Sequence, residues 1–234
     1  MDLTPTIACV LKSGGTYTSE WPQRLHRSIQ KHLNTPFNFV CLSDIQVPSI
    51  TTIPLTQGWR GWWSKIELFR PNLFHGPVLY LDLDVLVIGD ITPLLSCCTS
   101  FTMVREKKHN DYFSSSCMAW TGDYSFIYDE FKRDPEAYML QYKRFPRIGD
   151  QAFISHMLVT SQKTPRTFLQ ALGYDAIASY KRHNCQNAPP SKACAVDFHG
   201  KPKPHQLKSG WVCELWTETK QNKKVIAQKW RPRA

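Results

Sequence analysis

The segment Pro77-Val78-Leu79-Tyr80-Leu81-Asp82-Leu83-Asp84-Val85-Leu86-Val87-Ile88 limits what this chain can fold into more than any other. It is apolar at almost every position, as strands covered on both faces of a parallel sheet are. Such a strand needs helices packed above and below it, which points to an α/β fold. Two carboxylates interrupt it at i and i+2, and the two-residue period of a strand sends both to one side. Like charges buried together are unfavourable unless something compensates them. A divalent cation with a preference for hard oxygen ligands, manganese or magnesium, is the usual compensation, which makes Asp82 and Asp84 candidate metal ligands. The competing reading is a strand that runs into a solvated turn, with both aspartates leaving the core.

The surrounding pattern alternates strands and helices. Strands are expected at Thr6–Leu11, Phe37–Leu42, Phe101–Val104 and Ser115–Trp120, with an irregular piece between Gln46 and Pro54. Helices are expected over about Trp21–Leu33, Trp63–Phe69 (with Ser64 near its start and Pro71 beyond its end), Asp123–Lys132 and Asp150–Leu158. Asp150 near a helix start suits an N-cap. This order predicts a mixed, mostly parallel central sheet flanked by helices, with ligands at the carboxyl ends of the strands, where Asp82 and Asp84 fall. Beyond Lys181 the prolines argue for loops that fold over a ligand.

At 234 residues, 42% of them hydrophobic, the chain suits one sizeable α/β domain. No apolar run approaches the roughly 18 residues of a membrane span. The N-terminal residues show no basic segment followed by a long apolar one, so a cytoplasmic protein is expected. The eight cysteines are scattered without a Cys-x-x-Cys pair and read as free buried thiols. His183, Cys185, Cys194 and His199 match no standard zinc spacing. Charge is concentrated at one end. From Lys181 onward there are 12 Lys and Arg against three acids, a net of +9 within a whole-chain +10. Such a segment favours an anionic partner: a diphosphate, nucleic acid or an acidic membrane surface touched peripherally. For Lys220–Arg233 a solvated basic tail is an equal alternative.

Four further segments accompany the Asp-x-Asp strand in order: Gly58-Trp59-Arg60-Gly61-Trp62-Trp63-Ser64-Lys65-Ile66-Glu67-Leu68-Phe69, Gly89-Asp90-Ile91-Thr92-Pro93-Leu94-Leu95, Gly149-Asp150-Gln151 and Phe198-His199-Gly200-Lys201-Pro202-Lys203-Pro204. As an ordered set they resemble GT-A fold glycosyltransferases, most of all glycosyltransferase family 8, over about residues 5–206. One GT-A (Rossmann-like) domain is expected over 1–206, with a donor half of about 1–100 and an acceptor half of about 101–206, followed by a basic extension over 207–234; the resemblance implies a nucleotide-sugar donor (a UDP-sugar by expectation) and a manganese ion. It implies metal ligation by Asp82, Asp84 and His199. The family's histidine stands three residues before the glycine, and here that position is Asp197, so Asp197 is the alternative third ligand. Gly200 and Lys203 keep the glycine-to-lysine spacing, and Lys203 resembles the lysine that contacts the diphosphate. Lys65, 17 residues before Asp82, stands where the family places a basic residue on the donor. Val10, Lys12 and Tyr17 occupy the nucleotide-base region, and Ser115 lies where an Asn-Ser pair contacts the donor sugar. Asp150 and Gln151 match the Asp-Gln pair beneath the transferred sugar, and the resemblance implies retention of anomeric configuration.

The expected activity is thus sugar transfer from a nucleotide-sugar to a hydroxyl acceptor. The basic end suggests a hydroxymethylated pyrimidine in DNA, which would be extruded from the duplex and bound with a steep salt dependence. A bacterial surface glycan or lipid-linked sugar is the alternative acceptor. A metal-dependent nucleotidyltransferase also uses Asp-x-Asp on a strand, but no glycine-rich phosphate loop accompanies it. A non-catalytic nucleic-acid-binding module would leave the donor-site motifs unexplained.

Overall fold

A computed structural model describes residues 4–105, 113–144 and 147–217. The basic stretch Lys220–Arg233 lies outside the described residues. Alternate residues of the central strands feed two different cores, which is what places helices on both faces. In β1 (Thr6–Leu11), Ile7, Cys9 and Leu11 enter one core while Ala8 enters the other. The first core is capped by α1 (Glu20–His32), whose Trp21, Leu25 and Ile29 recur every four residues along one stripe. The chain continues through β2 (Asn38–Ser43) and β3 (Thr51–Pro54) to a 3₁₀ run, Gly61–Phe69, on the second face. Then come β4 (Val78–Leu81), β5 (Leu86–Val87), α2 (Thr92–Ser96), β6 (Thr102–Arg105) and β7 (Phe113–Trp120). The helices α3 (Ser125–Arg133) and α4 (Pro135–Gln141) and a small hairpin of β8 (Lys143–Arg144) and β9 (Arg147–Ile148) lead into α5 (Gly149–Thr160). Last are β10 (Arg166–Thr167), α6 (Phe168–Leu172), β11 (Ile177–Ser179) and β12 (Ala195–Asp197).

Seven strands form the main sheet in the order β10-β6-β7-β4-β1-β2-β3. Its pairings are parallel except where β7 meets β4 and β6. A second sheet has the order β11-β12-β5. This is the mixed, mostly parallel α/β architecture that the sequence predicts.

The Asp-x-Asp segment departs from expectation. It is two strands in two sheets, not one strand. After Leu81 the amide of Asp82 still bonds Ser116 O at 2.8 Å, but the chain then turns, with Val85 N bonding Asp82 O at 3.1 Å. It resumes as β5, antiparallel to β12. The reason is electrostatic: two carboxylates cannot continue into an apolar interior, so the chain turns where they occur and delivers them to the strand end. The two-residue period therefore governs Asp82, which stays on the face of Tyr80, and fails for Asp84.

The segment 61–69 is a 3₁₀ run in which Ser64 Oγ bonds back to Gly61 O at 2.8 Å, so Ser64 is not its cap. Its Glu67, fully buried, accepts from Thr56 N at 2.7 Å, Thr56 Oγ1 at 3.0 Å and Gln57 N at 2.9 Å, clamping the preceding loop to the run that carries Lys65. Glu67→Ala is expected to lower stability by about 3 kcal/mol, because it orphans buried donors and leaves a cavity. Urea denaturation measures this, and a loss below about 1 kcal/mol would contradict the clamp.

All eight cysteines are free thiols, and every one except Cys213 is buried. Residues 211–217 are helical and pack onto the domain. Val212 is buried, Trp211 Nε1 bonds Cys185 O at 2.8 Å, and the Arg24 guanidinium lies 4.6 Å from the centre of the Trp216 ring. Among the described residues no helix is long and apolar enough to cross a membrane.

Candidate functional site

A cleft of about 530 Å³ opens at the carboxyl ends of β1 and β4. It gathers Val10, Lys12, Tyr17, Lys65, Asp82, Asp84 and Lys203, which lie far apart in the chain. Strand ends of a parallel sheet point their side chains and amides into such a crevice. At its floor sits a buried ammonium. Lys65 Nζ lies 2.9 Å from Asp82 Oδ1, 3.1 Å from Asp150 Oδ2 and 2.9 Å from Ser115 Oγ. Ser115 Oγ donates to Asp150 Oδ2 at 2.5 Å, and Tyr80 OH donates to Asp82 Oδ1 at 2.5 Å. Burial pulls the Lys65 ammonium down, but the charges of Asp150 and Asp82 outweigh it and hold Lys65 above the ordinary lysine range. Burial pushes Asp82 up to about 6, opposed by Lys65 and reinforced by Asp84. Asp150 lies in the first turn of α5, where it is expected to cap the helix. Its carboxylate serves Lys65 and Ser115 instead.

Asp84 belongs to a second knot. Tyr17 OH donates to Asp84 Oδ2 at 2.8 Å, and the Lys203 ammonium pairs with the same oxygen while donating to Phe198 O at 2.8 Å. Burial first, then the charge and hydrogen bond of Asp84, push the Tyr17 hydroxyl far above its usual range, so Tyr17 stays a neutral donor. At the cleft's outer end Lys12 Nζ pairs with Asp44 Oδ2 at 2.6 Å, and Ser13 supplies its amide at 2.8 Å and hydroxyl at 2.7 Å. Burial raises Asp44, but Lys12 and Ser13 outweigh it and bring its carboxyl down to about 2. A carboxylate with a depressed native pKa stabilises the fold above its unfolded pKa, and that contribution disappears as pH falls through the folded value. Asp44→Ala is therefore expected to cost about 1 kcal/mol at pH 7 for this partly exposed pair and close to nothing at pH 2. Urea denaturation at the two pH values checks this; equal losses at both would contradict it.

The remaining site residues lie apart from the cleft. Gln151 sits in α5 with its carbonyl accepting from Ser155 Oγ at 2.6 Å. Gly200 has a left-handed φ of +65° beyond β12. His199 Nδ1 meets Ser179 Oγ at 3.2 Å, and His199 and Asp197 both line a second, smaller cavity of about 70 Å³. Among the described residues, no three or more His, Cys, Asp and Glu side chains converge as a metal centre, His183, Cys185, Cys194 and His199 included. Three contributors escape the sequence reading. Tyr80 was legible, two residues before Asp82 on the same strand face. Asp44 becomes visible only once β1 and β2 are in register, with Leu11 opposite Ser43. Trp62, 57% exposed, lines the cleft's rim, whereas neighbouring Trp63 stacks on Phe131 in the core.

No protein-family model matches the chain, and no curated protein sequence matches it. Solved structures do. The galactosyltransferase LgtC, in complex with donor and acceptor sugar analogues, aligns with a TM-score of 0.60 and 14% identity over 92% of this chain and 94% of that one. The glycosyltransferase GlyE of Streptococcus pneumoniae TIGR4 aligns at 0.61 and 14% over 98% of this chain, which spans 63% of GlyE. The bifunctional glycosyltransferase WbbM aligns at 0.56 and 11% over 93% of this chain and 52% of WbbM. The chain has the fold of the GT-A glycosyltransferases.

Proposed function

We propose that this protein transfers a sugar from a nucleotide-sugar donor, a UDP-sugar, to a hydroxyl acceptor, with a divalent cation at the cleft. The observation that carries the reading is the buried Lys65 ammonium bridging Asp82, Asp150 and Ser115 at the floor of a strand-end cleft. A structural ion pair would be simpler. This one spends a buried lysine on two carboxylates from separate elements, beneath an open volume large enough for a nucleotide-sugar.

In this reading the nucleotide lies against Val10, Lys12 and Tyr17, and the sugar lies over Lys65, Asp150 and Ser115. The family resemblance assigns Gln151, one residue on in the first turn of α5, to the transferred sugar, although it does not line the cleft. The donor set fits a divalent cation. Among the described residues, Asp82 Oδ2 and Asp84 Oδ1 have no protein partner, while the other oxygen of each is held by lysine and tyrosine. Manganese or magnesium commonly takes one or two carboxylates and completes its shell with substrate phosphates and water. When bound there, it supplies Lewis-acid stabilisation of the departing diphosphate. His199 would join only if its loop turned it away from Ser179.

The chain's own groups do the rest. Lys65 fixes the carboxylates of Asp82 and Asp150 in place before the donor arrives, so no reorganisation is needed as charge develops. Lys203 hands its ammonium from Asp84 to the diphosphate. Asp150, held by Lys65 and Ser115, presents its carboxylate to the sugar hydroxyls and the cation-like centre. Retention of configuration follows the family resemblance and is read by NMR of the product anomer. The acceptors that the sequence suggests are a hydroxymethylated base in DNA and a surface glycan. The tail that motivates DNA lies outside the described residues.

The reading is tested by UDP binding in the presence of manganese. UDP with manganese is expected to raise the melting temperature of the wild-type protein and to do so far less in Asp84→Asn. No shift with any nucleoside diphosphate would count against the proposal.

A further inference from the structure

Three rings meet at Trp21, a buried residue in the first turn of α1. The Tyr17 ring lies edge-on to it with 4.5 Å between centres, the His205 ring edge-on at 5.2 Å, and the Trp216 ring tilted against it at 4.7 Å. They come from three segments: the loop before α1, a 3₁₀ turn over Pro204–Gln206, and the helical residues 211–217. Two of the three lead to Asp84. The Tyr17 hydroxyl donates to Asp84 Oδ2, and His205 follows two residues after Lys203, whose ammonium pairs with the same oxygen. Lys203 is tied to that turn, since its amide donates to Gln206 Oε1 at 2.8 Å. One indole thus buttresses both segments that grip Asp84.

Ring packing, more than hydrogen bonding, holds these segments. His205 Nδ1 is buried and has no hydrogen-bond partner among the described residues. Aromatic edge contacts are directional, so the place of the Trp21 ring sets where the Tyr17 hydroxyl ends. Trp216 in turn is anchored on Trp21 by the next turn of α1. Arg24 donates from Nη1 to Trp216 O at 2.5 Å and lies with its guanidinium 4.6 Å from the centre of the Trp216 ring. Arg24 is buried, and a buried guanidinium is kept only where partners hold it. A helix that merely completed the domain would need only apolar cover. Residues 211–217 supply that at Val212, on a separate cluster with Phe198 and Tyr180, and in addition send Trp216 to the hub behind Asp84.

We infer that Trp216 is a positioning residue for the nucleotide–cation site: packed on Trp21, it holds Tyr17 and the Lys203 turn where they meet Asp84. The inference rests on the sugar-transfer reading above and extends its machinery into residues 211–217, which the sequence assigns to a basic extension. Without the Trp216 ring, Trp21 loses part of its support, and the Tyr17 hydroxyl and Lys203 ammonium have to be ordered when the ligand arrives. That weakens binding more than the transfer step.

The test uses the full chain and follows manganese binding at saturating UDP by electron paramagnetic resonance of the free ion, so turnover is not required. Trp216→Leu keeps an apolar side chain and removes the ring, whereas Trp216→Phe keeps a ring. Manganese affinity is expected to fall about tenfold or more in Trp216→Leu, the scale of outer-shell changes at metal sites, and less than about threefold in Trp216→Phe. Arg24→Lys, which keeps a cation but removes the planar fork on Trp216, should lose about threefold without altering any ring. In a Tyr17→Phe background, where the hydroxyl is already gone, Trp216→Leu should cost no more than about threefold, because coupled changes do not add. Ile127→Ala, in the core on the other face of the sheet, should lower the melting temperature while leaving manganese affinity within about twofold. With a UDP-sugar, Trp216→Leu should raise the donor KM at least about fivefold and change kcat less than about threefold. Three results would each overturn the inference and leave the sugar-transfer reading standing: manganese affinity unchanged in Trp216→Leu and Arg24→Lys, the full tenfold loss repeated in the Tyr17→Phe background, or an equal loss in Ile127→Ala. Absence of UDP-dependent manganese binding by the unaltered protein would overturn both.

Discussion

Lys65→Met is expected to lose about 3–5 kcal/mol of stability and at least about 100-fold in turnover. The side chain is nearly isosteric, so the packing beside Tyr80, whose ring centre lies 5.2 Å from Nζ, is largely kept. The positive charge is lost. Among the described residues, Asp150, almost fully buried, is left with Ser115 as its partner, and Asp82 keeps only the Tyr80 hydroxyl. Two uncompensated carboxylates at one floor repel each other and resist ionisation. Some of the lost stability should return in the double variant Lys65→Met/Asp150→Asn, because the second change removes the orphaned charge. Turnover should not return. Urea denaturation and nucleotide release measure the two effects separately. A Lys65→Met protein with wild-type turnover would remove Lys65 from the site, whatever its stability.

Asp84→Asn is expected to act in the opposite proportion. The carboxamide oxygen can still accept from Tyr17 and Lys203, and the turn between β4 and β5 keeps its backbone bonds. Stability should change by less than about 1 kcal/mol, because the buried Asp84 position keeps both hydrogen bonds and its partner Lys203 is partly exposed. Turnover should fall about 100-fold or more, since even outer-shell changes at metal sites cost 10–100-fold. Manganese titration of the residual activity should show a weakened metal requirement. Unchanged turnover with an intact fold would exclude Asp84 from metal or diphosphate binding.

The central strands, their alternation with helices and the position of the Asp-x-Asp segment at a strand end were legible from apolar runs and period alone. What was not legible depends on partners distant in sequence. That Asp82 and Asp84 part company at the turn follows from β5 joining β12, a contact between residues about 110 apart that no local pattern encodes. The small second sheet, with strands of two or three residues, carries too few residues for a period to show. Lys65 was identified by its place before the aspartates, and its burial was hinted at by the flanking tryptophans. Its second carboxylate, Asp150, was expected to cap a helix because the local signal for a cap is strong. The tertiary charge took it instead. The His199 ring lies against Ser179, a residue on the neighbouring strand, a contact that no local spacing encodes.

Turnover of a nucleotide-sugar with a divalent cation is the activity proposed for the cleft. The most direct measurement is free-nucleotide release from UDP- and GDP-sugars with manganese, repeated after chelation with EDTA and after manganese is restored. Release from at least one UDP-sugar, its loss on chelation and its return with the metal are expected. Absence of release from every donor, or release indifferent to chelation, would contradict that activity.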